Sequence, residues 1–246
     1  MSYKDQIDLQ KLPRHIAVIM DGNGRWAKGK GKLRVFGHHN GVLSVRDIVE
    51  SAGELGIEYL TLYTFSAENW NRPKFEVTAI MELLISTLNK EIAKLMKNNV
   101  RLNAIGDLKA LPGKCHKELE NAISKTAGNT GLVLTLALSY SSRGEMVQAA
   151  KNIVAKVQSG ELNPADIDEQ LFEDNLYTGG MPNPELLIRT SGEYRISNYL
   201  LWQIAYAELY FTTKLWPDFR REDLYEAILD YQKRERRFGM TSEQVN

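Results

Sequence analysis

The chain has 246 residues, 43% of them hydrophobic, and its 31 Lys and Arg residues balance 31 Asp and Glu residues, which excludes an overall field that attracts nucleic acid or acidic lipid. This length can bury the core of one α/β domain, and we expect a single domain over residues 1–246, with a polar N-terminal tail (1–14) and a C-terminal tail (240–246). The single cysteine, Cys115, excludes an internal disulfide, and no apolar run reaches the roughly 20 residues of a membrane span, so we expect a cytoplasmic protein with at most peripheral membrane contact.

Short apolar runs alternate along the chain with segments of helical periodicity. The runs are rich in Val, Ile, Leu, Thr and Tyr and end at turn residues, which predicts buried strands. They are HIAVIM (15–20), YLTLYTF (59–65), VRLNAIG (100–106), GLVLTLALSY (131–140), ELLIRT (185–190) and AYAELYF (205–211). Helices are predicted over residues 42–55, 76–98, 114–126, 144–158, 166–177 and 221–237. The alternation predicts an α/β fold with a mainly parallel central sheet and helices on both faces.

Arginines follow the predicted strands. Ligands of a parallel sheet bind outside the carboxyl ends of its strands, so the residues after each strand form the candidate site. Four of the first five strand ends carry arginine: Arg25, Arg72, Arg143, and the pair Arg189 and Arg195. Guanidinium groups bind phosphate oxygens bidentately, and a neutral chain has no other reason to collect them at one edge. The sequence therefore predicts a pyrophosphate site.

The turn after the first strand, DGNGRWA (21–27), matches the dinucleotide pattern G-x-G-x-x-A only formally. The acidic residue expected after the second strand would be Glu68, well beyond the spacing of about 20 residues that this pattern requires. No P-loop sequence occurs. Two interpretations remain: a tight turn capped by Asp21 and Asn23, and a glycine-rich turn whose backbone N–H groups approach phosphate.

Asp21 places a carboxylate beside the predicted phosphate site. The two would repel each other unless a cation bridges them, and Mg²⁺ is the usual bridge, held by one or two carboxylates and phosphate oxygens. Glu208, within AYAELYF, is a candidate for the second carboxylate. Its alternative interpretation is a strand residue that faces water.

Three further features have two interpretations each. The segment SAENWNRP (66–73) could cover a ligand, with Trp70 in contact with it, or Trp70 could pack on the core. His38 could bind phosphate or cap the helix that follows it. The helix predicted over residues 76–98 is apolar on more than one face, so it is either deeply buried or lines a cavity for a long hydrocarbon. A diphosphate site joined to such a cavity would fit a prenyl substrate.

Three blocks of the sequence resemble the cis-prenyltransferases, and most nearly their bacterial undecaprenyl diphosphate synthases. The blocks are HIAVIMDGNGRWAKGKGKLRVFGHHNG, LTLYTFSAENWNRP and LLIRTSGEYRISNYLLWQIAYAELYF, and the similarity extends over about residues 15–239. The resemblance implies a homodimer of single α/β domains, each with a hydrophobic tunnel. It also implies an Mg²⁺-dependent transferase that adds isopentenyl diphosphate units to farnesyl diphosphate with cis double bonds. The implied product is undecaprenyl diphosphate, a lipid carrier precursor for bacterial cell-wall synthesis.

The resemblance also implies roles for individual residues. Asp21 would handle Mg²⁺ and the departing diphosphate, and Glu208 would be the second magnesium ligand. The allylic substrate would be bound by Gly22, Asn23, Gly24, Arg25, Arg34 and His38, with Trp26 near the start of the hydrocarbon. The substrate loop would contribute Ser66, Ala67, Glu68, Trp70 and Arg72, with Asn69 as the family's proton acceptor. The isopentenyl diphosphate site would be Arg189, Arg195, Ile196 and Ser197.

Side-chain chemistry argues against the role of Asn69 as proton acceptor. A neutral carboxamide is a poor base, so our hypothesis is that Asn69 positions the proton while a diphosphate oxygen accepts it. Tyr194 stands where close relatives often have histidine, which puts a secondary contact in doubt. Product length would depend on side chains along the hydrocarbon path: Val42, Thr64, Leu84, Leu88 and Leu132.

The sequence disfavours two other function classes. A non-catalytic partner subunit of a prenyltransferase complex is disfavoured because this chain keeps the whole DGNGR turn. A nucleotide-dependent oxidoreductase is disfavoured by the spacing between the glycines and Glu68.

Overall fold

The computed structural model describes residues 3–245. These residues form a six-stranded sheet in the order β3-β4-β2-β1-β5-β6, and each neighbouring pair is parallel. The strands are β1 His15–Ile19, β2 Tyr59–Ser66, β3 Arg101–Ile105, β4 Val133–Tyr140, β5 Leu186–Arg189 and β6 Glu208–Phe211. Each predicted strand is present, and the predicted parallel sheet is confirmed.

Helices connect most of the strands. They are α1 Asn23–Gly29, α2 Arg34–Leu55, α3 Lys74–Lys97, α4 Gly113–Thr126, α5 Ser142–Gln158, α6 Glu169–Asp174, α7 Arg221–Gln232 and α8 Ser242–Val245. Helix α8 lies within the predicted C-terminal tail, and four of the other helices also differ from the prediction. Helix α1 was expected as a turn, and α2 begins eight residues before the predicted start at residue 42. Helix α6 begins late because the Asp168 side chain caps it by accepting from Leu171 N–H.

The fourth difference is at the end of α7. The prediction extended this helix to residue 237, but it ends at Gln232. Beyond it, Arg234 and Arg236 turn back to the sheet and pair with Glu208 and Glu185. Those two ion pairs hold the chain where a further helical turn would have continued.

The core lies on both faces of the sheet. Ile16 and Val18 of β1 face the cluster that contains residues of α2, α3, α4 and α7, whereas Ala17 and Ile19 face a second cluster around Tyr140 and Tyr199. All residues of β1 are buried, which explains why the strand is a continuous apolar run instead of an alternating one. Each such Ile or Val contributes about 1.5–3 kcal/mol to stability by its burial.

The predicted N-terminal tail packs on the domain. Ile7 is buried in the larger cluster, and the Gln232 side chain donates to the carbonyls of Asp8 and Lys11 at 2.7 and 3.1 Å. Residues 1, 2 and 246 of the two predicted tails lie outside the described residues.

Candidate functional site

The candidate site lies at the carboxyl edge of the sheet, between β1 and β5. The chain leaves β1 towards β2 on one side, and it leaves β5 towards β6 on the other side. Connections that diverge in this way open a crevice at the strand ends, where ligands of α/β proteins bind. A cavity of about 800 Å³ extends from this crevice into the space between α2, α3 and the sheet. We call its part at the strand ends the head end.

Asp21 follows β1 and is held by two arginines. Its Oδ2 atom accepts from Arg189 at 3.0 Å and from Arg25 at 3.3 Å, and its Oδ1 atom accepts from Gly22 N–H at 2.7 Å. Burial raises the pKa of this carboxyl, but the hydrogen bonds from Arg189 and Ser191 and the charge of Arg189 outweigh burial, and the pKa is lowered. Asp21 is therefore ionised at neutral pH, in a position that lines the cavity.

Arg189, the last residue of β5, organises the neighbouring turn. Its side chain is 4% exposed, and besides Asp21 it donates to the Arg195 carbonyl and, at 2.8 Å, to Ser197 Oγ. One planar guanidinium thus holds the strand end and the following turn in fixed relation.

A second charged cluster surrounds Glu76 of α3, which is 3% exposed. Arg34 and Arg72 lie 3.3 and 3.1 Å from its carboxylate, and His38 Nε2 lies 3.7 Å away. Burial lowers the pKa of His38 to about 4, with a further lowering by the charge of Arg72, so this imidazole is neutral at pH 7. Two guanidinium groups then share one carboxylate, which leaves positive charge available to an anion.

The head end carries more arginines than carboxylates. Asp21 and Glu68 are the acidic residues that line it. The lining arginines there are Arg34, Arg72, Arg143, Arg189 and Arg195. The predicted gathering of strand-end arginines is therefore observed, except that Arg25 lies beside the cavity and binds Asp21, Glu193 and Ser191.

Asn69 lines the cavity as a hydrogen-bond donor. Its Oδ1 atom accepts from Ser66 N–H at 3.2 Å in a capping box, so the carboxamide oxygen is occupied. Its Nδ2 group has no hydrogen bond to any of the described residues. This orientation offers an N–H group to the cavity, and the hypothesis that Asn69 positions the proton stays a prediction.

Several predicted site residues do not line the cavity. Trp26 stacks on Phe36 with ring centroids 5.8 Å apart and donates to Asp218 at 2.8 Å. Trp70 packs edge-on against Phe65 and donates to Ser139 Oγ at 2.9 Å, which is the core-packing alternative. Ala67 also lies outside the lining, and Ile196 packs against the cluster around Tyr199. The remaining predicted substrate-binding residues do line it: Gly22, Asn23, Gly24, Arg34, His38, Ser66, Glu68, Arg72, Arg189, Arg195 and Ser197.

Glu208 does not join Asp21 within one chain. It begins β6 and pairs with Leu186, which in turn pairs with Ile16 near the start of β1, whereas Asp21 follows the opposite end of β1. Its carboxylate binds Arg234 at 2.9 Å. The described part of the chain contains no group of three or more His, Cys, Asp or Glu side chains arranged to hold a metal ion.

Sequence reasoning missed Asn198, which connects three loops of the head end. Its Nδ2 group donates to Glu68 at 2.9 Å and to Ser141 Oγ at 2.8 Å, and its Oδ1 atom accepts from Arg143 N–H at 3.0 Å. The backbone of Asn198 has a φ of 58°, in the left-handed region that Asn adopts more readily than most residues. An Asn in the RISN turn was the available signal.

Gly37 was also missed, although it lies within the block that contains His38. A Cβ atom at this position of α2 would lie 1.9 Å from the backbone oxygen of Asn23. Helix α2 therefore packs directly against the DGNGR turn, and only glycine permits this approach. The glycines of GHHNG were a signal of close packing within a helix.

We expect Gly37→Ala to displace the DGNGR turn. Overpacking of this kind should lower the free energy of unfolding by about 1–3 kcal/mol. It should also weaken diphosphate binding, which a urea titration and a ligand titration would measure separately. Gly53→Ala is the matched control, because Gly53 lies on the same helix and an added Cβ there meets no atom within 4 Å. Equal stability and equal binding in the two variants would contradict the direct contact.

The interior of the cavity is mostly apolar. Helix α3 contributes one face to it and packs its other side on α4, so this apolar helix lines a cavity, and its use for a hydrocarbon stays a prediction. The lining residues include Val42, Val45, Val49, Leu62, Phe65, Ile80, Met81, Leu84, Leu88, Leu95, Leu102, Leu134, Leu136 and Leu138. Thr64 also lines the cavity, but Leu132 is buried outside it.

Known proteins share this sequence and this architecture. The family model described as "Putative undecaprenyl diphosphate synthase" matches residues 19–239. An isoprenyl transferase of Chlorobaculum tepidum is 58% identical over 95% of this chain and 88% of its own length. A Vibrio cholerae protein named ditrans,polycis-undecaprenyl-diphosphate synthase ((2E,6E)-farnesyl-diphosphate specific) is 51% identical, over 95% of this chain and 94% of its own length.

Solved structures agree. Lavandulyl diphosphate synthase from Lavandula x intermedia, in complex with dimethylallyl diphosphate, superposes with a TM-score of 0.91 at 40% identity, over 94% of this chain and 99% of that one. A probable undecaprenyl diphosphate synthase from Campylobacter jejuni gives a TM-score of 0.77 at 36% identity, over 92% and 98% of the two chains. This chain belongs to the undecaprenyl diphosphate synthase family of prenyltransferases.

Proposed function

We propose that the protein extends farnesyl diphosphate with isopentenyl diphosphate units, each with a cis double bond, to give undecaprenyl diphosphate. The observation that carries this proposal is an arginine-lined head end that continues directly into an apolar cavity. Phosphate oxygens fit the first part, and a growing hydrocarbon fits the second. In a bacterial cell this product is the precursor of the lipid carrier for cell-wall synthesis.

Two sets of groups divide the diphosphates between them. The backbone N–H groups of the first turn of α1, which have no partner within the helix, would bind the allylic diphosphate together with Arg34, His38 and Arg72. Arg189, Arg195 and Ser197 would bind isopentenyl diphosphate. As the bond at the allylic C1 breaks, charge grows on the leaving diphosphate, and these fixed donors stabilise that charge.

Asp21 fits a magnesium site in which the substrate supplies most of the ligands. Its carboxylate is ionised, lines the cavity and is 32% exposed, and Mg²⁺ is commonly held by one or two carboxylates plus phosphate oxygens. When bound, Mg²⁺ would offset the charge of the leaving diphosphate. We leave Glu208 out of this magnesium site, because within one chain it lies at the opposite edge of the sheet from Asp21.

We also propose a homodimer. β6 is an edge strand of the sheet; the exposed Tyr194 packs on Phe211 of β6 with ring centroids 5.3 Å apart, and the exposed Tyr206 lies two residues before the strand. An edge strand flanked by apolar side chains is a surface that proteins commonly cover with another chain. We expect the dimer to reside in the cytoplasm. No helix in residues 3–245 is long and apolar enough to cross a membrane.

We expect the ion pair between Glu50 and Lys94 to limit product length. It joins α2 to α3 and lines the cavity about 27 Å along α3 from Glu76, at a rise of 1.5 Å per residue. Removing it with Glu50→Ala should open the far end and shift the product distribution to longer chains, as mass spectrometry of the extracted lipids would show.

The reversed pair, Glu50→Lys with Lys94→Glu, should restore the original length. Glu58→Ala breaks the exposed Arg14–Glu58 pair outside the cavity and serves as the control. If Glu50→Ala left the distribution unchanged while total incorporation was normal, the pair would have no part in length control.

Incorporation of labelled isopentenyl diphosphate into butanol-extractable material tests the activity itself. We expect incorporation that requires farnesyl diphosphate and Mg²⁺, with the purified chain alone. Incorporation only after a second, different chain is added would favour the partner-subunit hypothesis. Saturable NAD binding without any incorporation would favour the oxidoreductase.

A further inference from the structure

One face of the molecule combines free lysines with exposed apolar side chains beside the head end. Residues 22–46 contain six basic residues and no Asp or Glu, although the chain as a whole is neutral. We call this surface the basic apolar face. Its members are Lys28, Lys30, Lys32, Leu33, Phe36 and Phe75.

The apolar members adjoin the place where the starts of α2 and α3 meet. Leu33 is 78% exposed and Phe75 is 68% exposed. Each adjoins one partner of the Arg34–Glu76 contact, which joins the start of α2 to the start of α3. Phe36, one turn along α2 from Leu33, is exposed as well. Single exposed apolar side chains are ordinary, but three at one place indicate a surface that meets something apolar.

The three lysines have no acidic partner. Lys28, Lys30 and Lys32 are exposed, and none of them forms an ion pair with any residue in 3–245. Lys30 lies over the Trp26 ring, 4.6 Å from its centroid. In contrast, Arg34 and Arg46 in the same segment are paired with Glu76 and Glu91. The lysines thus leave an unbalanced positive charge around the exposed apolar side chains.

We propose that the basic apolar face docks on the surface of an anionic lipid bilayer. Lysines beside exposed Leu and Phe side chains are the combination that binds lipid interfaces, where the charges meet anionic head groups and the apolar groups enter the acyl boundary. Nucleic acid would bind the lysines but would make no use of the apolar Leu33 and Phe75 side chains. A second copy on a two-fold axis would bring the lysines of both chains together.

The basic apolar face lies beside the entrance to the cavity. Arg34 and His38, which line the head end, lie at the start of α2 beside Leu33 and Phe36, so a docked face would bring the cavity entrance to the lipid surface. A product with a long hydrocarbon could then pass into the bilayer with little exposure to water. Passage of the product into the bilayer rests on the proposed function, whereas the docking itself does not.

Co-sedimentation with vesicles tests the proposal on the substrate-free protein. We expect binding to vesicles that contain phosphatidylglycerol and much weaker binding to phosphatidylcholine alone. The variant Lys28→Glu/Lys30→Glu/Lys32→Glu should reduce partitioning onto the anionic vesicles by at least about 100-fold, since the loss of each basic residue near the surface costs about fivefold and the added carboxylates repel the vesicle. Leu33→Ser/Phe75→Ser should also reduce it, and the remaining binding should become more sensitive to salt.

The matched control is Lys11→Glu/Lys97→Glu/Lys125→Glu, which makes the same change in net charge on exposed lysines before β1 and at the ends of α3 and α4, at the edge of the sheet opposite the head end. We expect it to bind within about threefold of the unaltered protein, because its charges lie away from the lipid. Equal losses in both triple variants would overturn the proposal, as would full binding by the first. A change from dimer to monomer in Leu33→Ser/Phe75→Ser would instead identify the face as an interface between copies.

The vesicle result is independent of the reaction. A protein that docks but incorporates no isopentenyl diphosphate would contradict the proposed function alone. A protein that makes polyprenyl diphosphate but ignores anionic vesicles would contradict the docking alone.

Discussion

Asp21→Ala is expected to lower the rate of isopentenyl diphosphate incorporation by more than about 10³-fold, above the loss typical of one preorganised donor. The Asp21 carboxylate is the ionised group between Arg25 and Arg189 at the head end, and it is the proposed protein ligand of Mg²⁺. Its removal leaves the nearly buried Arg189 without its carboxylate partner and removes the metal ligand together. Single-turnover incorporation at saturating substrates and Mg²⁺ would measure the loss.

Asp21→Asn separates the two contributions. It keeps the shape and the hydrogen bond from Gly22 N–H but lacks the charge, so we expect a loss close to that of alanine with the thermal unfolding temperature better preserved. If either variant, correctly folded, retained turnover within tenfold of the unaltered protein, the assigned role of Asp21 would be wrong.

Arg189→Lys is expected to reduce kcat/KM for isopentenyl diphosphate by about 10²-fold or more. One guanidinium now reaches Asp21, the Arg195 carbonyl and Ser197 Oγ at once. An ammonium group keeps the charge but cannot present the same planar set of donors. The loss should appear mainly as a raised KM for isopentenyl diphosphate, with a smaller change in the KM for farnesyl diphosphate.

Arg101→Lys provides the comparison. Arg101 is exposed at the start of β3, which is at the amino edge of the sheet, whereas the head end is at the carboxyl edge. The same substitution there should leave the kinetics within about twofold, as is usual for exposed surface positions. A loss in Arg189→Lys that affected both substrates equally would place Arg189 in the support of the whole head end rather than in one diphosphate site.

Much of the fold was accessible from the sequence because its strands are buried on both faces. A strand such as β1 has no polar face, so it appears as an apolar run that ends at turn residues. The start of α2 was missed for the opposite reason. Gly37 and Gly41 lower helix propensity, yet the close approach of Asn23 and Trp216 requires them, and that approach exists only in the folded chain.

The head end was predictable where strand ends alone decide the outcome. Parallel strands end at one edge, so Arg72, Arg143 and Arg189 had to meet there. The direction of a side chain is different, because it depends on tertiary packing. Trp26 and Trp70 turned to protein partners rather than into the cavity.

The residue at which β6 begins determines the edge of the sheet at which Glu208 lies. The run AYAELYF was predicted as a strand from residue 205, but β6 begins at Glu208, so this carboxylate lies at the amino edge, opposite Asp21. The buried Glu76 was missed because a charged residue at the start of a helix ordinarily faces water.

The mass and double-bond geometry of the lipid product test the central claim most directly. The purified protein would be incubated with farnesyl diphosphate, excess isopentenyl diphosphate and Mg²⁺, and the product analysed by mass spectrometry and NMR. We predict a long polyprenyl diphosphate of undecaprenyl length in which every added unit has a cis double bond. A product with trans additions, or no product longer than farnesyl diphosphate, would contradict the account.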